Sequence, residues 1–394
     1  MACAAVGVTA AAALSAPAAA ALNGTALSEP AADPGGRLEL PAPTGPFRVG
    51  VTDLHLVDRS RADLWAPERR RELMVSLWYP AAGRHGRPDQ YVSAEESRLI
   101  LERLGASELP PAVLSSVRTH ARTGLDALPQ HRGWPLVVLS PGFSFPRSSL
   151  TSLAEDLASR GYVVAGVDHT YEAAAVTFPD GRVTTCVVCD LVDADQVEPA
   201  QVTAGRVKDL SFVLDELTGP RAKDDPVGES RAKENRVKGI PIDTGRVIVA
   251  GHSLGGDAAG WTVLSDRRFD AGINMDGSFH PAITSAVDRP VLLLGAGDEH
   301  GRPGTDASWD ETWQHLTGWR RWITVTDTTH SSFTDYAVLG DQVGLPVQPL
   351  PGERAVEITR AYVGAFADRH LRHTPERLLN GPSNRYPEAV HWHP

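Results

Sequence analysis

The feature that most constrains this chain is Gly251-His252-Ser253-Leu254-Gly255-Gly256. The apolar run Val247-Ile248-Val249-Ala250 comes directly before it and the small-residue stretch Asp257-Ala258-Ala259-Gly260 directly after. That order reads as strand, sharp turn, helix. A G-x-S-x-G in this setting is a nucleophile elbow, which holds the serine on a strained turn at the tip of a sheet. The flanking glycines are steric requirements, because strand and helix approach so closely that side chains beside the serine would clash. A buried strand that must pass at once into a helix points to an α/β fold.

The rest of the chain agrees. Phe47 to Val57 and Glu72 to Tyr79 are rich in β-formers and predict two early strands, antiparallel to each other. The stretch from Pro88 to about Ala127 reads as helical, with an amphipathic segment Ser97–Leu104 that covers the sheet or, alternatively, forms a lid. Strand Trp134–Ser140, helix Ser148–Arg160 and strand Tyr162–Val167 follow. Ala175 to Val188 reads as a hairpin turning at Pro179-Asp180-Gly181. A helix spans Gln201–Leu217. After the elbow come strands Ala271–Met275 and Val291–Gly295, a helix near Thr305–Leu316, strand Trp322–Thr326 and a helix near Glu353–Leu371. Strands alternating with helices predict an α/β-hydrolase fold, a mostly parallel sheet covered on both faces. The expected organisation is a leader and linker over residues 1–45, one catalytic domain over 46–375 and a C-terminal tail over 376–394. Residues 219–239, highly charged with mixed signs, read as a solvated surface insertion.

A hydrophobic content of 42% with 22% charged residues fits an ordinary globular protein, and a net charge of −11 argues against a nucleic-acid partner. A monomer is expected. The first residues, rich in alanine and nearly uncharged, resemble the apolar core and cleavage region of a secretory signal without its basic start, so export is expected. Cys186 and Cys189 are spaced C-x-x-C. They can form a disulfide if the chain turns there, but not on a regular strand, where residues three apart face opposite ways. No set of ligands at zinc spacing is evident, and neither a metal nor a cofactor is expected.

Serine is a poor nucleophile at neutral pH. It needs a histidine to take its proton and a carboxylate to orient that histidine, and on this fold they follow in the order Ser, Asp or Glu, His. His330 is the base candidate, in the polar loop Thr328-Thr329-His330-Ser331-Ser332 after a late strand. His252 reads as structural. His280 and His300 lie on loops at the same sheet edge and are expected to line the pocket, whereas His391 and His393 fall in a tail expected to be mobile. Two acids remain open: Asp276 ends one strand, and Asp298 follows the next. The developing oxyanion needs backbone N–H donors, expected from Leu254 and from Phe143 in Pro141-Gly142-Phe143-Ser144.

These residues resemble a family, the type II platelet-activating-factor acetylhydrolases and their bacterial lipase-like relatives. The likeness runs over most of residues 72–371. It is carried by Leu77-Trp78-Tyr79-Pro80, by Ser140-Pro141-Gly142-Phe143 with Asp156–Tyr162, and by Arg206, Asp209 and Phe212–Asp215. Arg268–Asp276 and the group His330, Phe333, Asp335 and Tyr336 complete it. The resemblance implies that Asp276 is the triad acid. It also implies a calcium-independent enzyme that cleaves short or oxidised acyl chains from phospholipid, with a lipid or small ester as substrate and peripheral contact with lipid surfaces. The chain departs from the family where Pro141-Gly142 replaces the usual His-Gly. A similar elbow occurs in bacterial cutinases and polyester hydrolases, and that likeness implies Asp298 as acid. A catalytically inert α/β-hydrolase that binds a ligand is the alternative of another class.

Overall fold

The computed structural model of the protein describes residues 37–83, 85–219, 237, 239–302 and 304–392. The leader expected at the N-terminus, most of the 219–239 insertion and His393 lie outside the described residues.

In chain order the strands are β1 (Arg48–Ala62), β2 (Arg70–Ala81), β3 (Arg87–Gln90), β4 (Arg118–Thr123), β5 (Trp134–Ser140), β6 (Val163–Asp168), β7 (Val176–Thr177), β8 (Val183–Thr184), β9 (Ile242–His252), β10 (Ala271–Met275), β11 (Val291–Ala296), β12 (Arg320–Val325) and β13 (Ala389–Trp392). The helices are α1 (Ala94–Arg103), α2 (Thr151–Ser159), α3 (Val187–Asp193), α4 (Pro199–Thr218), α5 (Leu254–Ser265), α6 (Gly297–His300), α7 (Ala307–His315), α8 (Tyr336–Gln342) and α9 (Gly352–Leu371). All strands but β7 and β8 join one sheet in the order β13-β12-β11-β10-β9-β5-β6-β2-β1-β4-β3. From β12 to β6 the neighbours run parallel, and β2 pairs antiparallel with both β6 and β1. This is the α/β-hydrolase fold.

The central strands are buried on both faces because helices cover both. Along β5 the side chains alternate. Val137 and Leu139 enter a core shared with α2, α8 and α9, while Leu136 and Val138 enter a second core shared with α4, α5 and α7. Parallel strands aligned this way put every strand-to-helix loop at one edge, where residues distant in sequence meet.

The structure departs from the sequence-based expectation at four places. The stretch 88–127 is not all helical. It holds α1 and a short turn Val113–Ser116, but also β3 and β4, which pair and extend the sheet beyond β1. β4 is short, and only its buried Thr119 and Ala121 carry the alternation that marks a strand. The 97–104 segment covers the sheet, with Ile100 and Leu101 buried in the first core. The expected hairpin is only two residues per strand, and its second arm passes into α3 from Cys186. At the N-terminal boundary, Leu38 and Leu40 are buried and backbone bonds tie them to Arg118, so residues 37–45 pack on the domain instead of acting as linker.

The fourth departure is the C-terminal segment. β13 adds antiparallel to β12 with Trp322 opposite Trp392, and the Trp392 indole N–H donates to Thr324 Oγ1 at 2.9 Å. The segment caps a sheet edge that would otherwise offer unpaired backbone groups, and His391 therefore sits in a strand. A variant ending at Gly381 should aggregate more readily and unfold about 5 °C lower than the full chain. Thermal unfolding followed by light scattering checks this, and an unchanged midpoint would show that β13 is dispensable.

Candidate active site

β9 ends at His252 and α5 begins at Leu254, so Ser253 alone makes the turn, at φ 55° and ψ −129°. A serine in that region carries backbone strain of roughly 1–3 kcal/mol, which the surroundings must offset. They do so by contact. A Cβ on Gly251 would lie 2.0 Å from the Gly255 carbonyl oxygen, and one on Gly255 would lie 2.1 Å from that of Ser140. Only hydrogen fits at either position. The Ser253 N–H also donates to Met275 O at 2.8 Å, which ties the elbow to the end of β10.

Asp276 directly follows β10, with φ 58°, and is fully buried. His330 opens a short turn after β12 and stands half open to solvent, its side chain 45% exposed. His330 Nε2 lies 2.8 Å from Ser253 Oγ, and its Nδ1 lies 2.7 Å from Asp276 Oδ2. An ionised carboxylate only accepts, so Nδ1–H donates to Asp276 and the neutral ring presents the Nε2 lone pair to the serine hydroxyl. Burial alone would raise the Asp276 carboxyl, but hydrogen bonds from His300 and His330 hold it far below the ordinary carboxylate range. Desolvation pulls His330 down, yet the bond and charge of Asp276 outweigh it and leave its pKa above the usual imidazole value. Asp298 is exposed on α6, and both ring nitrogens of His330 are engaged elsewhere. The structure therefore brings Ser253, His330 and Asp276 together and leaves Asp298 out.

The loop after β5 passes over the nucleophile. A Cβ on Gly142 would lie 3.3 Å from Ser253 Cβ and 2.8 Å from His252 Nδ1. Phe143 comes next in this loop, and Leu254 is the first residue of α5, where an N–H has no intrahelical acceptor. Beneath the loop is a buried ionic network. The Arg206 guanidinium donates to Pro141 O at 2.6 Å and to Glu172 Oε2 at 2.7 Å. His169 joins Ser140 Oγ to Asp209, and Arg71 pairs with Asp209, Asp63 and Glu172. Burial would lower the Arg71 pKa, but these carboxylates more than reverse it, so the charge is retained. Holding the Pro141 carbonyl from below fixes the start of the loop that passes over the serine.

His252 is buried and hydrogen-bonds the His330 carbonyl at 2.7 Å, and burial pushes its pKa down to about 3. It is neutral, and its Nε2–H supports the backbone of the base. His280 is half-buried on the loop after β10. His300 was expected to line the pocket, but it is fully buried behind Asp276, 2.7 Å from Oδ1, and its ring stacks on Trp309. Neither His300 nor its second partner Asp306 carries a sequence signal beyond lying on the right loop. Asp276, Glu299 and His300 place possible ligand atoms within 4.8 Å of one another. However, both Asp276 oxygens and both His300 nitrogens are already taken up in hydrogen bonds.

Cys186 and Cys189 form a disulfide where the chain turns into α3. Cys186, Val188, Cys189 and Val192 pack with Leu254, and Phe143 and Trp65 lie against them. Leu254 and Phe143 thus share one small apolar cluster with the disulfide.

The fold and this site define a serine carboxylic-ester hydrolase. The chain belongs to the family described as "Platelet-activating factor acetylhydrolase, isoform II", whose model matches residues 34–348. It is 28% identical to a "Probable 1-alkyl-2-acetylglycerophosphocholine esterase" of Arthroderma benhamiae, over 89% of this chain and 93% of that one. It is 25% identical to the platelet-activating factor acetylhydrolase of Cavia porcellus, over 85% and 79% of the two chains. Among solved structures it is similar to a ferulic acid esterase from Streptomyces cinnamoneus. The TM-score is 0.77 at 41% identity, covering 91% of this chain and all of that one. Among the described residues no helix is long and apolar enough to cross a membrane.

Two outcomes follow from the site's electrostatics. Arg206→Met should lower kcat by roughly 100-fold, because misplacing the loop over the serine spoils orientation. It should also destabilise the fold by about 1–3 kcal/mol, since Glu172 loses the nearer of its two buried cations and keeps Arg71. Steady-state kinetics and urea unfolding test both effects. His330 must be neutral to accept a proton, and its pKa is raised. The acid limb of kcat/KM should therefore lie above about pH 6.5, with activity rising as pH increases through it. A pH–rate profile with a limb below pH 6 would contradict this.

Proposed function

We propose that Ser253 attacks the ester carbonyl while His330 takes its proton, with Asp276 orienting the ring and balancing the imidazolium that forms. The tetrahedral oxyanion is met by the N–H groups of Phe143 and Leu254. Collapse gives an acyl-enzyme and the alcohol, to which His330 returns the proton. Water, deprotonated by the same histidine, then releases the acid. The observation that carries this reading is the continuous chain Ser253 Oγ–His330–Asp276 at 2.8 and 2.7 Å, set under the Gly142 loop.

The substrate we propose is a short acyl ester of a phospholipid or related lipid. The relatives named 1-alkyl-2-acetylglycerophosphocholine esterase and platelet-activating factor acetylhydrolase support it. A second reading, ferulic acid esters, is favoured by the higher identity, 41%, to the esterase of that name. Lipase-like or polyester-hydrolase activity on long acyl chains is the further alternative. We also propose that the enzyme is exported as a monomer that meets lipid at its surface. The Cys186–Cys189 disulfide supports export, because such bonds persist in oxidising compartments.

The test is hydrolysis of p-nitrophenyl esters from acetate to palmitate, of short- and long-chain phosphatidylcholine, and of methyl ferulate, each with and without EDTA. The expected result is a preference for acetyl and short sn-2 chains, unaffected by chelation. A preference for methyl ferulate would select the second reading, and dominant turnover of palmitate would select the lipase-like one. Ser253→Ala should lower kcat by at least ~10⁴-fold with the unfolding midpoint unchanged. Retained activity would overturn the mechanism.

A further inference from the structure

Asp276 serves two histidines. Oδ2 accepts from His330, and Oδ1 accepts from the Ala296 N–H at 2.6 Å and faces His300 Nδ1 at 2.7 Å. The other nitrogen of His300, Nε2, lies 3.1 Å from Asp306 Oδ2. His300 therefore has a carboxylate oxygen at each ring nitrogen. Ionised carboxylates cannot donate, so both nitrogens must, and a ring that donates from both is an imidazolium. It is fully buried, and a buried charge is tolerated only when it is paired. Here it lies between two carboxylates and stacks on Trp309 with ring centroids 4.0 Å apart.

The charged surroundings come from each element that packs on this ring. β10 contributes Asp276 at its end, α7 contributes Asp306 at its N-cap, α6 carries Glu299 beside His300, and the turn after β12 contributes His330. From β12, Trp322 donates its indole N–H to the His300 carbonyl at 2.7 Å and fixes the backbone. Burial opposes charging of His300, but the bonds to Asp276 and Asp306 prevail and its pKa lies at about 9.

We infer that His300 is a positioning residue held as a permanent imidazolium, which fixes the Asp276 carboxylate and, by offsetting its charge, limits how strongly His330 is protonated. The inference rests on the Ser253–His330–Asp276 reading. A bare buried aspartate favours the charged form of its histidine partner and so holds it protonated up to a higher pH. A second cation on the same carboxylate weakens that pull. His330 is then free as a base closer to neutral pH, while Asp276 stays ionised and in place. Asp306 completes the device: it secures the His300 proton and is itself held below the ordinary carboxylate range, chiefly through its bonds to His300 and Ser308, which outweigh burial.

The experiment uses NMR of the ring nitrogens in Ser253→Ala protein, with and without His300→Asn, so that no activity is required. Asparagine can still donate to Asp276 but carries no charge. The expected results are a doubly protonated His300 through pH 8 and a His330 pKa that rises by roughly one unit in His300→Asn. In the Ser253 enzyme the acid limb of kcat/KM should move upward by the same amount. A neutral His300 tautomer at pH 7, or a His330 pKa unmoved by His300→Asn, would overturn the inference. A loss of stability without a pKa change would reduce His300 to a packing residue. Failure of the triad reading would show separately, as activity retained in Ser253→Ala.

Discussion

The tightest constraint in this molecule is the contact of the elbow with its neighbours. Gly255 lies against the end of β5, Gly251 lies against Gly255, and a Cβ on Gly277 would fall 2.1 Å from Ser253 O. Three backbones meet there with no room for a side chain. That closeness forces Ser253 into a positive φ and pushes its hydroxyl out over the sheet edge. It also brings the loop after β5 and the residue after β10 alongside. Ser253, the Gly142 loop and Asp276 are thus positioned by one packing event.

Charge is handled in two layers around this point. In the outer layer, His330 is half-exposed, as a base must be if it exchanges protons with substrate and water. In the buried layer, the groups that hold His330 and the Gly142 loop are paired. Asp276 lies between His300 and His330, and Arg206 lies between Glu172 and the Pro141 carbonyl. Unpaired, any of these groups would cost several kcal/mol of desolvation. Paired, they hold loops that have little secondary structure of their own. The rigidity the Gly142 loop needs comes from ionic contacts beneath it.

The departures from the sequence reading have a common cause. Over residues 88–127 the pattern predicts helix because α1 dominates it, and β4 is too short to impose a period of two. The C-terminal residues looked like a tail because Ala389 to Trp392 offer only four positions, and pairing with β12 decides their fate. The hairpin before α3 was overextended because Val187 and Val188 favour strands locally, whereas the Cys186–Cys189 bond and packing on Leu254 require a turn. In each case a tertiary contact overrode a weak local preference.

The fold class was legible in the chain alone, and so were a candidate nucleophile, Ser253, and a candidate base, His330. A glycine-flanked serine between a buried strand and a helix, with a histidine after a late strand, leaves almost no other arrangement. The sequence narrowed the acid to Asp276 or Asp298, and only resemblance favoured one. Tertiary structure decided the rest, because hydrogen bonds depend on where side chains point and not on their spacing in the chain. Asp276 turns inward at positive φ toward two histidines, while Asp298 faces solvent. His300 and Arg206, remote in sequence from Ser253, act on the site only because β10, α6, α4 and the loop after β5 converge on one sheet edge.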